Sequence, residues 1–252
     1  MSENQPEELK YKEFQKGRSI DITFRKICAD SSGTRKKQKE GKKGMSIVAF
    51  FSERDKQQIR NDIISQIQDL HYGFVSPDNL HTTFLNIYPS KNIFQENSNS
   101  YFNDLIITNL RQFFDNKPNN SALILNFDEF RPGTWHGFNN MQIPDASDGT
   151  VIAMGNPQES GNESFVNLAD QLVCDLKNKL RPIFNDEFDR KFPTMWTTLG
   201  YFDHLDFGIT KEFADIFKLF KKPLEIEVNK LSLVEYSYKD LRDAQILQTY
   251  EL

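Results

Sequence analysis

The chain has 252 residues, 38% of them hydrophobic and 27% charged, with a formal net charge of -5. That length and balance describe a folded protein of one large domain or two small ones, and exclude a collagen-like, disulfide-framed or disordered chain. No apolar run approaches the roughly 18 residues that a membrane helix needs, so no membrane partner is expected. Cys28 and Cys174 are too few for a disulfide framework. The opening MSENQPEELK is acidic and polar, unlike a secretory signal, so the expectation is an intracellular (cytoplasmic) protein with two reduced, buried or half-buried thiols.

The charge is unevenly spread. Residues 1–44 carry 12 Lys/Arg against 7 Asp/Glu, and residues 45–252 carry 19 against 29. The body is therefore not a nucleic-acid-coating surface, although a small groove within it can be locally positive. The stretch SSGTRKKQKEGKKG (31–44) has six basic residues and no apolar one, and reads as a solvated linker whose cations could also touch phosphates. This divides the chain into an N-terminal extension, 1–44, and a body, 45–252. Within the extension, SIDITFRKICA (19–29) alternates Ile20, Ile22 and Phe24, which predicts a strand pairing with the body.

In the body, SIVAFFS (46–52) predicts a buried strand, and Ser52 followed by Asp55 is a capping-box-like helix start. Ile59, Ile63, Ile67 and Leu70 recur at helical spacing, which predicts a helix over 53–70. HTTFLNIY (81–88) predicts a strand, and Phe102, Leu105, Ile106, Leu110, Phe113 and Phe114 a second helix. A strand is expected over 121–130, then a long irregular connection over 131–149 with two prolines and three glycines. Beyond it come a strand at 150–155, a helix from Phe165 to Leu180, a strand at 194–202 and a helix from Thr210. The last long strand is LEIEVNKLSLVEY (224–236). Its parity flips near Asn229–Lys230, which predicts a bulge or bend. The tail from Ser237 is polar without a period.

Both halves thus read strand, helix, strand, helix, strand. Their first strands lie about 104 residues apart and their last about 103. The middle strands share Thr-Thr followed by apolar residues, His81-Thr82-Thr83-Phe84-Leu85 and Trp196-Thr197-Thr198-Leu199-Gly200. A duplicated α/β unit is expected, with lobes of about 45–130 and 150–236.

In a strand, His81 and Thr83 share a face about 7 Å apart. Imidazole moves protons near neutral pH, and a hydroxyl can hold a phosphate oxygen or a water. A lone His-x-Thr is usually structural. The wider pattern, however, resembles the 2H phosphoesterase superfamily, which includes 2′-5′ RNA ligase-like proteins and cyclic phosphodiesterases. The resemblance covers roughly 45–236. It is carried by His81-Thr82-Thr83-Phe84, by Thr197-Thr198-Leu199-Gly200 with Pro193 upstream, and by the order of elements. It implies an α/β (α+β) fold of two lobes, whose two sheets flank a central cleft with helices outside. It implies action on RNA or a cyclic nucleotide; a monomer without a protein partner is expected, and as an enzyme it would require neither metal nor other cofactor, since acid–base side chains and hydroxyls carry the step.

The resemblance further implies two His-x-Thr/Ser motifs, one His acting as base and the other as acid, with the hydroxyls orienting phosphate oxygens. His81, Thr83 and Thr198 match, but Trp196 stands where the second His belongs. Indole offers an N–H donor but does not gain or lose a proton near neutral pH, and loss of an acid–base group commonly costs about 10²–10⁴-fold in rate. Three readings follow. The protein is an enzyme with an altered site, recruiting a second group, of which His136 in the loop between the lobes is the best placed and His204 less so. Or it binds without turnover, Trp196 stacking on a base while Thr83, Thr198 and His81 hold a phosphate. Or it acts through its surface and extension as an interaction protein. His71, at a helix end, reads as a cap or surface residue, and Cys174, within an apolar helix, as buried rather than nucleophilic. No phosphate-loop, dinucleotide, zinc-protease or hydrolase-elbow motif is present.

Overall fold

A computed structural model describes residues 8–15, 18–25, 44–70, 74–87, 99–116, 122–134, 147–156, 160–180, 195–202, 223–237 and 241–252. The fold is mixed α/β. Two strands open it, β1 (Glu8–Gln15) and β2 (Arg18–Arg25). They pair with each other antiparallel over their full length, so the strand expected at 19–29 finds its partner in the extension rather than in the body. The short spacing between them favours the local hairpin over a distant edge. The basic linker and Cys28 lie outside the described residues.

β3 (Gly44–Phe50) begins the body. Ser52 then caps α1 (Glu53–Ile59), its Oγ accepting from the Asp55 backbone N–H at 3.1 Å. The helix continues through a π segment, Arg60–Ile64, into α2 (Ser65–Leu70). The π turn widens the apolar stripe, so that Ile64 joins Ile59, Ile63 and Ile67 in the core. β4 (Phe74–Val75) and β5 (His81–Ile87) precede α3 (Asn99–Asp115), which buries Ile106, Leu110 and Phe114 at four-residue intervals. Phe114 stacks on Tyr250 with ring centroids 4.7 Å apart.

The strand expected at 121–130 is two strands, β6 (Leu123–Phe127) and β7 (Glu129–Thr134), so the irregular connection starts later than its prolines suggested. Pro132 is accommodated because β7 is an edge strand. β8 (Ser147–Gly155), α4 (Ser160–Leu180) and β9 (Met195–Phe202) follow. Cys174 is exposed, not buried: α4 packs Leu172, Val173 and Leu176 inward, and residue 174 falls about 200° round the helix from Leu172. The helix expected from Thr210 lies outside the described residues. The long last strand is β10 (Leu224–Val228) and β11 (Lys230–Tyr236), separated at Asn229 where the parity flips. The polar tail contributes an unexpected strand, β12 (Gln245–Glu251), paired with β11 at the sheet edge. An edge strand with one covered face needs no continuous hydrophobic signal, which is why it escapes a periodicity reading. Among the described residues no helix is long and apolar enough to cross a membrane.

The main sheet runs β12-β11-β3-β5-β9-β8-β7, with β4 beside β9, and β10 pairs with β6 separately. This order has an approximate two-fold. The middle strands β5 and β9 pair antiparallel, β3 and β8 flank them, and β11 and β7 flank those. β6 pairs with its counterpart β10. In each half, one residue (Asp128 or Asn229) separates the small-sheet strand from the next strand, which crosses over to pair with the first strand of the other half. The expected duplication is therefore visible as a swap of outer strands about a central seam.

One face of the sheet carries the core. It holds Ile47, Phe84, Leu85, Val151, Ala153, Leu199 and Leu233 together with the helices' apolar stripes and β6–β10. Phe84 meets Phe165 of α4 edge-to-face at 4.9 Å, joining the halves. The core is fastened at Asn162, which is fully buried near the start of α4. Its Oδ1 accepts from Asn126 N–H (2.9 Å), and its Nδ2 donates to the carbonyls of Asn126 (2.8 Å) and Asn156 (2.9 Å). The side chain thus acts as a strand partner for the outer edge of β6. Gly161 beside it is required, because an added Cβ would overlap the Ile124 carbonyl. Asn162→Ala leaves these backbone groups unpaired and is expected to destabilise the fold by about 3 kcal/mol, measured by denaturant unfolding.

Candidate functional site

The seam is made by one residue pair, Thr82 opposite Thr197. Both are fully buried on the core face, and Thr82 Oγ1 donates to the Trp196 carbonyl at 2.9 Å. Thr197 Oγ1 has no hydrogen-bond partner among the described residues. Because side chains alternate along a strand, the neighbours of these two threonines face the other way, off the core. Carrying the antiparallel register one residue in each direction sets His81 across from Thr198 and Thr83 across from Trp196. Four of the five residues singled out in the sequence therefore share one sheet face around the two-fold.

The flanking registers agree. His81 pairs with Phe50, and Thr83 with Val48, a residue outside the main core. Trp196 pairs with Met154, and Thr198 with Ile152. His81, Thr83 and Trp196 are half-buried, whereas Thr198 is only 9% exposed. Opposed residues across the seam have Cβ atoms about 5 Å apart, and the diagonal Thr83–Thr198 pair is about 7–8 Å apart. A phosphate accepting one bond of about 2.7 Å from each hydroxyl spans a similar gap.

Local structure sets these residues up. A register shift between Ile47 and Val48 leaves Phe84 as the extra residue of β5, so Phe84 and Leu85 both reach the core while His81 and Thr83 keep the open face. A matching shift between Val151 and Ile152 does the same for Leu199 on β9. Gly200 lets β4 cross closely, since a Cβ there would overlap the Phe74 ring. His81 Nδ1 lies 2.7 Å from the Asn79 carbonyl, which can only accept, so Nδ1 carries the proton and in the neutral ring Nε2 is the basic nitrogen. The Phe50 ring meets the imidazole edge-to-face at 6.1 Å.

His136, His71 and His204 lie outside the described residues. Sequence reading missed Asn79, although Pro77-Asp78-Asn79 is a turn signal directly before the His81 strand.

The chain is similar to the crystal structure of TT0787 of Thermus thermophilus, at 13% identity and a TM-score of 0.47 over 83% of this chain and 97% of that one. It is similar also to E. coli LigT complexed with 3'-AMP, at 14% identity and a TM-score of 0.46, and complexed with NADP+, at 14% and 0.44. Each LigT alignment covers 83% of this chain and 97% of that one. No family model and no curated protein matches the chain. At such identities and scores the likeness says nothing of chemistry, and the functional reading rests on the seam itself.

Proposed function

We propose that the protein is a 2H phosphoesterase-like protein whose altered seam acts on a phosphodiester of RNA or a cyclic nucleotide, with His81 the one imidazole among its described residues. The observation that supports this is the single Thr82–Thr197 pair, whose register gathers His81, Thr83, Thr198 and Trp196 on one face. The hydroxyls of Thr83 and Thr198 hold two phosphate oxygens. Hydrolysis of a 2′,3′-cyclic phosphate needs a proton taken from the attacking water as its oxygen bonds to phosphorus, and a proton delivered to the ribose oxygen as its P–O bond breaks. His81 Nε2 takes the first. Trp196 cannot supply the second, so the leaving oxygen is protonated by a recruited group, for which His136 is the candidate, or by solvent, and turnover is slow.

One observation favours a second reading, binding without turnover. The position across from Thr83 carries a half-buried indole, a stacking surface for a base. The full chain is to be incubated with 2′,3′-cyclic mononucleotides and with short RNAs carrying cyclic ends, with turnover and affinity both measured. Slow turnover supports the enzyme, and binding alone supports the second reading. In either case Trp196→Ala is expected to weaken binding by roughly 1–3 kcal/mol. Neither turnover nor binding would leave only the extension and surface as the means of action.

A further inference from the structure

The turn that delivers His81 into β5 is tied to the far end of the chain. Asn79 accepts from the imidazole through its backbone carbonyl, and its side-chain Nδ2 donates to the Leu241 carbonyl at 2.8 Å, 162 residues along the chain. Leu241 lies in the connection between β11 and β12 and has φ 58°, the one positive φ at a non-glycine among the described residues. A leucine rarely adopts that conformation, and it persists only where the surroundings over-determine it.

Here they do. The Leu241 side chain is 2% exposed and packs with Val48, Val234 and Tyr236 on the face that carries His81. Its carbonyl also accepts from Ala244 N–H at 3.1 Å, and the Asp243 carboxylate accepts from Ser237 N–H at 3.0 and 3.1 Å. The turn is thereby fixed with the Leu241 carbonyl aimed at Asn79. On the other side of Asn79, Leu80 is fully buried and its carbonyl accepts from Phe51 N–H at 3.1 Å.

We propose that Asn79, held by the Leu241 carbonyl, is a positioning residue that fixes His81 as the Nδ1–H tautomer and keeps Nε2 as the proton-accepting nitrogen. The role rests on reading His81 as the proton carrier, but its test needs no substrate. The full chain, labelled with ¹⁵N-histidine, is observed by NMR in alkaline buffer where the ring is neutral, with the His81 signals assigned by their loss in His81→Gln. The expected result is a wild-type ring protonated at Nδ1. Asn79→Ala keeps the carbonyl that accepts from Nδ1 but removes its tie to Leu241, and the Nδ1–H to Nε2–H ratio falls by up to about tenfold, the worth of the imidazole–carbonyl hydrogen bond once it is no longer held in line.

A wild-type ring protonated at Nε2, or an unchanged ratio in folded Asn79→Ala, would each overturn the proposal. Should Asn79→Ala fail to fold, Asn79→Ser is read in the same way, and the wild-type tautomer decides independently of both. A correct tautomer in a chain that binds no phosphodiester would count against the functional reading and leave this brace standing.

Discussion

Trp196→His is expected to raise turnover of 2′,3′-cyclic nucleotides by about 10²–10⁴-fold, the usual contribution of one acid–base group. Residue 196 occupies on β9 the place that His81 occupies on β5, because Thr197 and Thr82 meet at the two-fold. An imidazole there stands across from Thr83, on the opposite side of the phosphate from His81. It can then protonate the leaving oxygen while His81 receives the proton of the water. The site needs no new strand and no shift of register, only the side chain. A gain below about tenfold, in a variant that still binds nucleotide, would mean that the proton is delivered by a group elsewhere and that the seam lacks more than one residue.

His81→Gln is expected to remove about 10²–10⁴-fold of whatever turnover the wild type shows, with little change in KM. Gln keeps a polar side chain of similar reach but takes no proton. On the proposed reading Thr83 and Thr198 still hold the phosphate, so kcat is expected to fall and KM is not. The measurement is a steady-state comparison of the two chains on one cyclic nucleotide. Equal kcat values would remove His81 from the chemistry.

The strong periodicities in the sequence were legible as structure. The isoleucine stripe of α1–α2, the apolar face of α4 and the parity flip at Asn229 each correspond to an element or a boundary. The duplication was legible too, and the shared Thr-Thr marks the point where the halves touch. What escaped reading is physically different. β7 and β12 are edge strands, one containing Pro132, and edges carry weak patterns. The outer strands are exchanged between halves, and no local signal encodes a partner so distant in sequence. The Asn79–Leu241 contact depends on a positive φ at a leucine, which composition does not announce. Cys174 misled because a residue inside an apolar stretch of helix can still fall on its wet side.

Everything functional depends on Thr83 and Thr198 facing one ligand across the seam. The direct test is a crystal structure of the full chain with a 2′,3′-cyclic nucleotide. The expected result is a phosphate accepting hydrogen bonds from both hydroxyls, with His81 Nε2 on one side and the Trp196 indole against the base. A phosphate bound elsewhere, or threonine hydroxyls that no single phosphate can reach, would contradict it.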